Sequence, residues 1–76
     1  MNNYEVYWHV KDNPKTYPHN DNMLVCAENY EGAAHEFCER IYNEFDYDIK
    51  YVDYVRIRLT GTYTYYEYDV KGGRFI

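Results

Sequence analysis

Seventy-six residues suffice for one domain, 1–76. A chain this short removes only about 60% of its unfolded surface from water, so its core must be dense in large side chains. A hydrophobic share of 46% can supply that core, while twelve tyrosines are more than it can hold, so several belong on the surface. The net charge of −5 is held almost entirely by the stretch 28–53, which disfavours duplex DNA or an anionic membrane as the partner of that side. With no leader-like segment, lipidation signal or membrane-length apolar run, the chain is expected in the cytoplasm.

Along the chain, 4–11 alternates with period two. Tyr4, Val6, Trp8 and Val10 fall on one side and Glu5, Tyr7, His9 and Lys11 on the other, the pattern of a half-buried strand with Trp8 as its largest core piece. The stretch 12–22, DNPKTYPHNDN, has two prolines and no periodicity and is expected as a loop. A short strand over 23–27 is apolar at nearly every position, so either Met23 and Val25 or Leu24 and Cys26 can face outward.

Over 29–45 the spacing predicts the one helix of the chain. Tyr30, Ala33, Ala34, Phe37, Cys38, Ile41 and Phe45 form an apolar stripe. Asn29 is suited to the N-cap and Glu31 to the positive end of the helix dipole. Gly32 lowers helix stability by roughly 1 kcal/mol relative to Ala, which a close approach at that point would explain. The exit through Asp46, Tyr47 and Asp48 has no glycine cap.

Strands are expected over 50–60 and 62–70, joined by a tight turn at Thr60-Gly61. That turn pairs Leu59 with Thr62, Ile57 with Thr64 and Val55 with Tyr66, and it places Asp53 and Tyr51 on the same helix-facing row. The opposite row pairs Arg58 with Tyr63, Arg56 with Tyr65 and Tyr54 with Glu67. Gly72 and Gly73 end the last strand, leaving 74–76 as a tail. The resulting expectation is an α+β, two-layer ββαββ domain, a four-stranded, mostly antiparallel sheet with one helix packed on one face.

Little in the sequence points to catalysis or to a bound metal or cofactor. His9, His19 and His35 stand beside no serine or cysteine in a nucleophile pattern. Cys26, Cys38 and the histidines lack zinc-ligand spacing, and 19–22 lacks the glycine and terminal glutamate of a calcium loop. The two cysteines read as reduced, small core residues, the alternative being a disulfide that pins strand to helix.

Two surfaces remain as binding candidates. From Glu28 to Asp53 the chain carries a net −6, against +1 elsewhere, so the outer helix face and its exit (Glu36, Glu39, Glu44, Asp46 and Asp48) hold the excess negative charge and suit a basic partner surface. Behind the helix, the outer sheet face gathers Tyr7, His9, Tyr54, Arg56, Arg58, Tyr63 and Tyr65. Such a face can anchor a protein, stack single-stranded bases, or only stabilise itself through cross-strand ladders. A third reading makes it the interface of a homodimer. The net acidity disfavours the nucleic-acid reading, since phosphate contacts dominate that affinity.

The run strand, polar turn, helix, hairpin, with Glu31, Ala33, Ala34 and Phe37 reading E-x-A-A-x-x-F, resembles small ββαββ proteins encoded by phages and mobile elements, including anti-CRISPR proteins. The resemblance implies a non-enzymatic inhibitor acting in the host cytoplasm. Such a protein binds a host protein or complex and occludes a nucleic-acid-handling surface, with acidic side chains such as those of the helix and its exit.

Overall fold

The computed structural model describes residues 1–11, 19–44 and 51–76. Its elements run β1 (Asn2–Val10), β2 (His19–Ala27), α1 (Tyr30–Glu44), β3 (Val52–Leu59), β4 (Tyr66–Asp69) and β5 (Arg74–Phe75). The strands form one antiparallel sheet in the order β2-β1-β3-β4-β5, with α1 on one side. Among the described residues, the α+β class and one α-helix on one face are as expected, but the sheet has five strands. The supposed tail supplies the fifth. Gly73, at φ +69°, donates its N–H to the Asp69 carbonyl at 2.8 Å and turns the chain so that Phe75 pairs with Tyr68.

β1 is the central organiser. Its even residues Tyr4, Val6, Trp8 and Val10 are all buried, as the alternation requires, and Trp8 packs on Phe37 of α1 at a ring distance of 5.3 Å. Ala33, Ala34, Phe37 and Ile41 form the buried stripe of α1. Asn29 caps the helix, its Oδ1 accepting the Gly32 N–H at 2.8 Å. A Cβ on Gly32 would lie 3.2 Å from that oxygen and 3.3 Å from the Ala27 Cβ, so the close approach expected there is present. Tyr30 ties the helix start to the sheet: its ring meets Tyr4 edge-on at 5.0 Å and its hydroxyl accepts the Leu59 N–H at 3.3 Å.

Three expectations are corrected. First, β2 begins at His19, inside the expected loop, because β1 offers nine consecutive antiparallel partners from Asn2↔Ala27 to Val10↔His19. Val25 and Ala27 point to the core, so Cys26 lies on the outer face, exposed, with its Sγ donating to Asn3 Oδ1 at 3.0 Å. It is not a core residue. Cys38 is half-buried on the helix side, so the sheet stands between the two free thiols.

Second, a β-bulge interrupts the pairing of β1 with β3. His9 pairs with Tyr54 and Val10 with Val52, leaving Asp53 as the extra residue. Val52 and Val55 both reach the core, and Asp53 is turned out of the helix-facing row. Third, Thr60-Gly61 does form the turn, with Thr62 N–H bonded to the Leu59 carbonyl at 3.0 Å and Gly61 at φ +94°. Residues 62–65 then leave the ladder, which resumes two residues later with Ile57↔Tyr66, Arg56↔Glu67 and Val55↔Tyr68. A slip of two keeps every side chain on its expected face while changing every partner. Among the described residues, no helix is long and apolar enough to cross a membrane.

Candidate functional site

The outer face of the sheet, opposite α1, is built from rows that run across the strands. One row is Asn20–His9–Tyr54, the next Asn22–Tyr7–Arg56–Glu67, and the third Leu24–Glu5–Arg58. In the first, His9 and Tyr54 stack at 5.6 Å and 10°, and the Tyr54 hydroxyl donates to Asn20 Oδ1 at 3.0 Å. The displaced Asp53 brings its carboxylate to this end of the face. Its carboxylate lies 3.3 Å from His9 Nδ1 and 3.5 Å from Lys11 Nζ.

The third row explains where 62–65 go. The Arg58 guanidinium pairs with Glu5 and also donates to the Thr62 carbonyl at 2.7 Å. It lies under the Tyr65 ring at 5.5 Å, and Tyr65 meets Tyr7 edge-on at 5.6 Å. The Tyr7 hydroxyl completes the hub by donating to Glu5 at 2.9 Å. Desolvation pushes the Tyr7 phenol above its ordinary value, and the neighbouring Tyr65 hydroxyl adds to that.

Tyr65 so placed becomes one wall of a shallow groove of about 310 Å³, with Tyr7, Asn20, Tyr54 and Arg56 among its other lining residues. Arg56 is laid over the Tyr54 ring at 4.8 Å and paired with Glu67 at 3.8 Å. Of the seven sheet-face residues expected from sequence, the fold gathers six: Tyr7, His9, Tyr54, Arg56, Arg58 and Tyr65. Tyr63 is set apart at 96% exposed, because the two-residue slip replaces the Arg58–Tyr63 pair by Arg58–Tyr65.

The acidic helix face is less concentrated than its sequence suggests. Glu36 is paired with Arg40 at 3.6 Å and Glu39 with His35 at 3.2 Å, each one helical turn apart and solvent-facing. Arg40 also donates to the Leu24 backbone carbonyl at 3.0 Å. The Glu44 side chain, and Asp46 and Asp48 entirely, lie outside the described residues.

A second aromatic surface is absent from the sequence reading. Beside α1, over β4 and β5, Tyr30 meets Tyr66 at 4.8 Å, and Tyr68 meets Phe75 at 4.9 Å. A hollow of about 490 Å³ there is lined by Glu31, His35, Tyr68, Gly73, Arg74 and Phe75. Its only sequence signal was Phe75, an apolar residue two positions after Gly73. Among the described residues, no group of three or more His, Cys, Asp or Glu side chains comes together. Comparisons with protein-family models, curated proteins and solved structures found no match for this chain.

Proposed function

We propose that this chain is a protein-binding module that covers a surface of another protein with the outer face of its sheet. The observation that carries this reading is the charge pairing on that face. Arg58 is matched by Glu5, Arg56 by Glu67, and Lys11 by Asp53. A nucleic-acid phosphate would have to displace an acid at each cation, so the term that dominates nucleic-acid affinity is largely spent within the face. The tyrosine rings and the aliphatic stems of the arginines carry no such penalty, and they are the groups enriched at protein anchors. Following the resemblance to phage-encoded inhibitors, the proposed partner is a nucleic-acid-handling host protein whose surface becomes occluded. Glu36 and Glu39 stand on α1, on the other side of the sheet, and lie outside this contact.

Affinity capture from a bacterial lysate tests this reading. Tyr54→Ala and Tyr65→Ala should each lose the captured protein, while Tyr63→Ala, outside the cluster, keeps it. The alternative is single-strand binding on the same groove. Binding of a labelled oligonucleotide that collapses with added salt and is lost in Arg56→Ala would replace the protein-binding proposal.

A further inference from the structure

The free edge of β2 can be assigned group by group. Thr60 donates to the Asn3 carbonyl at 3.0 Å, and Lys11 donates to the Tyr51 carbonyl at 2.7 Å. The odd residues of β1 therefore bond toward β3, and its even residues bond toward β2. Through the register Tyr4↔Val25 and Val6↔Met23, the odd residues of β2 are used by β1. The N–H and C=O groups of Asn20, Asn22, Leu24 and Cys26 consequently point away from the sheet. Arg40 agrees with this assignment, since its guanidinium reaches the Leu24 carbonyl from the helix at 3.0 Å.

Among the described residues, no strand pairs with β2 on that side. Natural edges are usually blunted by lysine, proline or a bulge. β2 has none of these over its nine residues, and its register with β1 is unbroken. Among the described residues, two of its outward backbone groups are held, the Asn22 N–H by Asp21 Oδ1 at 2.8 Å and the Leu24 carbonyl by Arg40.

We infer that this edge is an association edge for a second copy of the chain, with β2 pairing antiparallel to β2 of its partner across a two-fold axis beside Met23. One register uses all four outward residues at once. It sets Asn20 against Cys26 of the second copy and Asn22 against Leu24, and the symmetry repeats both pairs, which gives about eight hydrogen bonds. This register fits the side chains as well. Met23 meets its own copy on the helix side. On the outer face the two Leu24 side chains become diagonal neighbours, which accounts for an apolar residue left 63% exposed in the single chain. Asp21 lies opposite Val25, so no like charges oppose one another. Two five-stranded sheets become continuous, and the outer faces of both copies are presented side by side. Asp21 and Arg40 act as latches that must yield for the edge to pair.

Sedimentation equilibrium on the full chain, with Arg40→Met and Leu24→Pro, tests the inference. The wild type should dimerise in the micromolar to sub-millimolar range, and Arg40→Met should tighten this several-fold by freeing the Leu24 carbonyl. Leu24→Pro removes an outward donor without cutting a β1 bond and should weaken association roughly tenfold or more. Circular dichroism confirms that this variant is folded, and Leu24→Glu, which brings two carboxylates near the axis, should give the same loss. In a Cys26→Ser background, Met23→Cys should form a disulfide-linked dimer under mild oxidation, as a facing pair at the axis allows. The inference is overturned if wild type and Arg40→Met are both monomers at sub-millimolar concentration. It is equally overturned by a dimer indifferent to Leu24→Pro and Leu24→Glu but dissociated by Tyr65→Glu, which would place the contact on the sheet face.

Discussion

Arg58 and Glu5 meet over the outer face of the sheet, joining β3 to β1 at positions far apart in sequence, and both side chains are mostly shielded from water (20% and 24% exposed). The pair anchors more than itself. The same guanidinium holds the Thr62 carbonyl, and the same carboxylate accepts the Tyr7 hydroxyl, so one contact decides where Tyr65 sits. Glu5→Ala leaves a shielded cation without its acid and should lower stability by about 1–2 kcal/mol, the discount from a fully buried pair reflecting residual solvent access. A double-mutant cycle with Arg58→Ala, read by urea denaturation, should return a coupling near 1 kcal/mol, as contacting residues do. Additive single losses would mean that the two residues act separately.

Alkaline pH should destabilise the fold, beginning with the thiol. Burial raises the Cys38 thiol above its ordinary value of 9.0. Desolvation likewise raises the Tyr68 phenol above 10.0, with Cys38 and Asp69 adding to it. A group whose folded value lies above its unfolded value holds its proton more tightly in the folded chain. The stability it supplies is complete below the unfolded value and is lost as pH climbs through the folded one. The urea midpoint should therefore hold steady to about pH 8.5 and fall above it. Cys38→Ala should delay the onset to the tyrosine range. An onset unchanged in Cys38→Ala would remove the thiol from this account.

What could be read from the chain was what neighbouring residues decide. The alternation of Tyr4, Val6, Trp8 and Val10, the stripe from Ala33 to Ile41, and the Asn29 cap each rest on one segment's own periodicity or turn chemistry. What could not be read was decided between segments. The polar stretch from His19 to Asn22 becomes strand only because β1 is long enough to pair with it. Asp53 leaves the core row because a bulge lets both Val52 and Val55 reach the interior. The turn at Thr60-Gly61 was legible, but the two-residue slip after it depends on Arg58 catching Thr62 and on Tyr65 settling against Tyr7. The even slip is why most of the sheet-face site survived a wrong register.

The bulge makes a separate prediction. Asp53 holds both His9 and Lys11 on the outer face, while its backbone position is set by Val52 and Val55. Asp53→Asn should change stability by no more than about 0.5–1 kcal/mol, since the pairs are half-exposed. Val55→Ala, in contrast, empties a fully buried site and should cost about 2–4 kcal/mol. Comparable losses in the two variants, measured by urea denaturation, would mean that the bulge is held by the charge pair and not by the core.

Gly32 sets two local rules against each other. In an open helix, Gly→Ala stabilises by roughly 1 kcal/mol. Here the added methyl would stand 3.2 Å from Asn29 Oδ1, the oxygen that caps the helix, and 3.3 Å from the Ala27 Cβ. Relief requires moving both the cap, itself worth about 1 kcal/mol, and the end of β2, which is pinned to Asn2. Gly32→Ala should thus be neutral to destabilising, by up to about 1 kcal/mol. The close approach is tested by taking away its other half. In an Ala27→Gly background the Ala27 Cβ is gone and only the contact with Asn29 Oδ1 remains, so the same Gly32→Ala change should cost less than it does in the wild-type chain. If Gly32→Ala stabilises the wild-type chain outright, the glycine is not held there by packing, and the tight junction between β2 and α1 does not constrain the helix start.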